Sequence, residues 1–93
     1  MTTLKVAHVR EQGIDLIICP LDESFDHKGA TAQREATAEI QMRARSAGLA
    51  GTVVPVWNSS GRMSFLAPRN WHPFFQTINL NWVWANVNRQ LSW

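Results

Sequence analysis

Where glycine and proline fall constrains this chain more than any other feature. Thr31 to Ala47 contains neither residue, and on each side of it lies a stretch with apolar residues closed at the same interval, Gly13 to Pro20 and Gly61 to Pro68. A run rich in Ala, Glu, Gln and Arg without breakers favours helix, whereas short apolar runs between Gly and Pro favour strands. The matching frames therefore predict two ββα units of repeated architecture.

The first unit opens with Leu4, Val6 and His8 alternating with Lys5 and Ala7. The run Ile14 to Cys19 follows a short Gly-bearing connection, which reads as a hairpin. Pro20 cannot donate to a ladder and ends the second strand. Leu21 to Gly29 is an acidic loop. Thr31 is a candidate N-cap, Glu35 is expected in the first turn, and Gly48 suits the C′ position. One helical face carries Ala32, Ala36, Ile40, Arg43 and Ala47, narrow and mostly alanine. Thr52 to Trp57 is a third strand, in which Pro55 predicts an edge position or a bulge. Asn58 to Gly61 is a turn, and Arg62 to Ala67 a fourth strand. Leu80, Val83, Trp84, Val87 and Leu91 form a helical stripe with Asn79 as N-cap, leaving Ile78 and Trp82 pointing elsewhere.

These readings give one domain over residues 1–93. The expected fold is α+β, a two-layer ββαββα sandwich with a mostly antiparallel four-stranded sheet and two helices on one face. A chain of 93 residues buries roughly 60–65% of its unfolded surface, so its large aromatics are needed inside.

Charge is segregated along the chain. All seven acids lie at or before Glu39, where they outweigh Lys5, Arg10, Lys28 and Arg34 by three charges, while the remainder carries five arginines and no acid. The same remainder holds all five tryptophans. Cys19 is the single cysteine, which excludes an intrachain disulfide and suits a reducing compartment. The N-terminus lacks the apolar core of a signal peptide, and no apolar run approaches membrane-spanning length. The expectation is a cytoplasmic protein without membrane association.

Constellations for chemistry are sparse. Cys19, Asp22, Asp26 and His27 are the densest reactive group, but no phosphate loop or CxxC accompanies the thiol, and a buried strand cysteine explains it better. His8, His27 and His72 lack paired ligand spacing, so no metal is expected. No catalytic triad, nucleophile elbow or glycine-rich phosphate loop is present, and no cofactor is implied.

The loop Arg69, Asn70, Trp71, His72, Pro73, Phe74, Phe75 is more distinctive. It fits either a stacking platform with a cationic flank or a plug for the open end of a small core, and the plug is the stronger reading. Trp82 and Trp93 have no evident core position and point to an interface. The expected function is a non-enzymatic interaction module that self-associates as a homodimer through its Trp-rich C-terminal helix. Its candidate binding residues are Arg69, Asn70, Trp71, His72, Trp82, Arg89 and Trp93. The alternative is weak nucleic-acid or anion binding through Arg62, Arg69, Arg89 and the Trp71 loop.

Overall fold

The structure is a computed structural model that describes residues 2–93. Strands β1 (Thr3–Glu11) and β2 (Ile14–Pro20) form a hairpin, and helix α1 (Ala30–Ser46) leads to β3 (Thr52–Ser59), which pairs with β4 (Arg62–Phe65). Two short helices follow, α2 (His72–Gln76) and α3 (Leu80–Ala85), and the chain returns as β5 (Arg89–Ser92). The strand order is β4-β3-β2-β1-β5, with β2 and β3 parallel and every other pair antiparallel.

The α+β class and the largely antiparallel sheet agree with the sequence. Both hairpins close on two residues, Gln12-Gly13 and Ser60-Gly61, all four with positive φ. That is the type I′ geometry whose twist matches the strands, and Gly takes the second position in each.

The layering differs from expectation. The sheet has five strands, and helices cover both of its faces instead of sharing one. On one face Val6, Ile17, Cys19, Val53 and Leu91 pack against Ile40 and Ala44 of α1. On the other, Ala7, Leu16, Ile18, Val54 and Val56 pack against Trp71, Phe75 and Val83. Because β2 and β3 are adjacent and parallel, the connection between them must cross over one face, and α1 does so. The opposite face of the same two strands is equally apolar, and the C-terminal helices shield it from water.

The expected long C-terminal helix stops at Ala85. Asn79 caps α3 as anticipated, accepting from the Trp82 N–H at 2.9 Å. At the other end the Asn86 backbone and its side-chain Nδ2 both donate to the Trp82 carbonyl, at 3.2 and 2.8 Å, and close the helix. Leu91, the last residue of the expected stripe, lies instead on β5 opposite Leu4. Pairing there satisfies β1, whose outer edge is otherwise unpaired. Asn88 extends the ladder with its side chain: Oδ1 accepts from the His8 N–H at 2.8 Å and Nδ2 donates to the His8 carbonyl at 2.9 Å.

Two finer expectations also change. Gly29, not Thr31, occupies the N-cap of α1, so Glu35 falls beyond the first turn. β3 is an interior strand despite Pro55, because the proline sits where β4 runs out. Pairing of β3 with β4 ends at Val56–Phe65, and past it the Pro55 carbonyl accepts from the Leu66 N–H at 3.1 Å. Further back along that edge no strand is needed. Gln41 of α1 accepts from the Val53 N–H at 2.9 Å and donates to the Gly51 carbonyl at 3.0 Å. A side-chain amide thus supplies the two bonds a neighbouring strand would make.

Candidate interaction surfaces

The residues singled out from sequence do not converge. Trp71 is only 6% exposed and belongs to the core. His72 bonds through Nε2 to the Ala67 carbonyl at 3.0 Å and lies edge-on to Phe65. Phe65 contacts Phe75, Phe75 contacts Phe74, and Phe74 meets both Trp71 and Trp82 at centroid separations of 5.9 Å. This chain of rings is the plug: it closes the sheet face opposite α1. Trp82, expected to lack a core partner, is part of it.

Arg69 and Asn70 are exposed beside the plug. Arg62 lies on β4 and Arg89 on β5, the two opposite edges of the sheet, so about four strand spacings, about 19 Å, separate the strands that carry them. The arrangement therefore gives Arg62 and Arg89 no common patch. Trp93 is on the α1 side of the sheet, against the cluster around Ile40.

Two surfaces stand out instead. The first is the outer face of α3. Trp84 is 53% exposed, whereas Val83 beside it is fully buried. Trp82 and Trp84 are two residues apart, about 200° around a helix, so one faces inward when the other faces out. The hydrophobic stripe assigns the inward place to Trp84; packing against Phe74 gives it to Trp82. From Pro73 to Asn88 the sequence holds no charged residue, so α3 itself contributes an aromatic ring and no charge to this face.

The second is a groove of about 350 Å³ between the C-terminal half of α1 and β5, lined by Arg43, Ser46, Ala47, Gln90, Leu91, Ser92 and Trp93. The Arg43 guanidinium stacks over the Trp93 ring, 5.5 Å from its centroid, a cation–π contact. Its Nη2 lies 3.6 Å from Glu39 Oε1, and its Nε is shielded from solvent without an acceptor among the described residues. Arg43 carries no special signal in the sequence; alanine neighbours on α1 leave the space that it occupies.

The reactive residues near Pro20 are separated by their surroundings. Cys19 is fully buried, and burial in an apolar layer pushes its thiol up to about 12. A thiol held protonated is neither nucleophile nor metal ligand. Native protein is therefore expected to resist an aromatic disulfide reagent and to react with one thiol per chain in urea; prompt reaction without denaturant would contradict this burial. Asp26 is exposed, and the Trp57 indole N–H, donating at 3.0 Å, holds its carboxyl below the usual range, helped by Ser59 and His27. That bond and the edge-on Phe25–Trp57 contact at 4.8 Å fasten the turn Glu23–His27 over the end of β3. Among the described residues no three His, Cys, Asp or Glu side chains gather as a metal site would require, and no helix is long and apolar enough to cross a membrane.

No protein-family model matches this chain, no curated protein matches its sequence, and no solved structure matches it.

Proposed function

We propose that this protein is a non-enzymatic interaction module that self-associates through the outward face of its C-terminal helix α3. The observation that carries the reading is the exposed Trp84 ring on α3, in a segment, Pro73 to Asn88, that holds no charged residue. Interface centres are depleted in charge and enriched in tryptophan, and the few residues that dominate binding are often tryptophans. A two-fold contact between two such helices brings no like charges together, and it buries the same ring on each partner.

Light scattering at micromolar concentration is expected to give the mass of a dimer. Trp84→Ala is expected to shift the midpoint of dissociation upward at least tenfold, a size typical of a central aromatic anchor, while leaving the circular dichroism spectrum unchanged. Trp82→Ala, in contrast, removes a ring packed on Phe74 and acts through folding. A parent protein that is monomeric at all concentrations overturns the proposal, as does a dimer indifferent to Trp84→Ala.

A further inference from the structure

The free edge of β5 supports a second, different partner. β5 is the last strand in the order and, among the described residues, has β1 as its sole neighbour. Thr2 and Trp93 exchange both backbone hydrogen bonds, at 2.6 and 2.9 Å. Antiparallel alternation then directs the backbone groups of Leu91 toward Leu4 and those of Gln90 and Ser92 away from the sheet. An extended peptide needs such a row of outward donors and acceptors to add a strand.

The surroundings select the sign of that peptide. Arg89 on β5 and Lys5, which pairs with Gln90, are both exposed, and Arg43 lines the groove alongside. Glu39 touches Arg43 at 3.6 Å, too long for a hydrogen bond, and the Arg43 side chain is 39% exposed. A carboxylate entering the groove can pair with the exposed part of that guanidinium. A second copy of β5 offers no such group, because Arg89 to Ser92 holds a cation and no acidic side chain.

We propose that β5 accepts an acidic, extended peptide segment as a sixth strand, with a carboxylate side chain in the Arg43–Trp93 groove. This site is separate from the α3 face, so either proposal stands if the other fails. The probe is a fluorescein-labelled octapeptide of alternating glutamate and valine, titrated by anisotropy at low salt. Saturable binding is expected that weakens at least fivefold when salt rises to about 0.5 M, where screening is short-ranged. The lysine–valine counterpart is expected not to bind. Arg43→Gln is expected to weaken binding about fivefold, and Gln90→Pro, which removes an outward N–H and leaves the bonds to β1, at least tenfold. If Gln90→Pro does not fold, glutamate–valine peptides N-methylated on alternate residues test strand addition without altering the protein; the register that blocks the bonding edge should lose binding. No binding of the acidic peptide, equal binding of the basic one, or equal binding of both N-methylated registers overturns the proposal. So does a dimer of the parent protein that Gln90→Pro dissociates, since the edge would then be occupied by a second copy.

Discussion

Replacing Phe75 by alanine is expected to lower the unfolding free energy by about 3–5 kcal/mol, the usual cost of emptying a large aromatic site in a core. The expectation rests on position. Phe75 is 1% exposed and sits in the cluster with Leu16, Ile18, Val54, Val56, Trp71 and Val83, so its ring joins α2 to the two central strands. It is also the middle of the ring series, tilted against Phe65 at 5.3 Å and edge-on to Phe74 at 5.2 Å. Without it, Phe74 loses its support on one side, and through Phe74 so do Trp71 and Trp82. A domain of this size has about 5–15 kcal/mol in total, so the variant should unfold at a small fraction of the parent's urea concentration. Urea titration followed by circular dichroism measures this, with Trp84→Ala as the surface control expected to stay within about 0.5 kcal/mol at concentrations where both proteins are monomeric. A loss below about 1 kcal/mol for Phe75→Ala, well under the cavity range, would show that the ring series does not hold the C-terminal helices to the sheet.

The plug around Phe75 is legible in the sequence because a short chain must place its large aromatics inside, and Pro73, Phe74 and Phe75 leave them little else to do. The hairpins are legible for a similarly local reason: Gly13 and Gly61 each follow a residue that the turn also needs at positive φ. What local pattern does not settle is the number of sheet faces to be covered. One sign of it is present, however. Leu16 to Pro20 and Val53 to Trp57 are each buried at every residue, and an unbroken apolar run is the pattern of a strand covered on both sides, as parallel strands are. Alternation, as in Leu4 to His8, suggests one covered side, yet Val6 and Ala7 are both fully buried, one on each face. Reading both kinds of run as one-sided places both helices on the same face.

The fifth strand is obscured for a different reason. Arg89, Gln90, Leu91 and Ser92 satisfy a period of two as well as the end of a helical stripe, and only the unpaired edge of β1, a long-range fact, decides between them. The candidate site follows the same division. Tryptophan surplus correctly draws attention to the C-terminal segment, but the choice between Trp82 and Trp84 depends on Phe74, and the groove at Arg43 depends on where β5 lies. Neither is a property of the segment alone.

Gly51→Ala is expected to be comparably damaging, although it removes nothing. Gly51 ends the crossover from α1 and precedes Thr52, the first residue of β3 to pair with β2. Its φ is +129°, and a Cβ there would lie 2.7 Å from the carbonyl oxygen of Asp15 and 2.9 Å from its carbonyl carbon. Both are backbone atoms, and Asp15 is itself paired with Arg10 of β1. The sheet can yield only by moving β2 off one neighbour or the other. Rotating Gly51 to relieve the contact is obstructed too, because its carbonyl accepts from Gln41 Nε2 and the next odd residue, Val53, donates to Gln41 Oε1. Backbone strain of this type costs about 1–3 kcal/mol and overpacking about 1–3 kcal/mol, together about 2–6 kcal/mol. Gly29→Ala is the matched control, since a Cβ there meets no atom within 4 Å and φ is −66°; at an N-cap it should cost at most about 1 kcal/mol. Thermal melts of the two variants give the comparison directly, at about 4–8 °C per kcal/mol for a domain of this length. Equal melting temperatures would mean that β3 does not approach β2 as closely as the parallel register requires. A large gap between them would locate the strictest steric demand of the fold at the return from α1 into the sheet, the step that makes β2 and β3 parallel and leaves two faces to be covered.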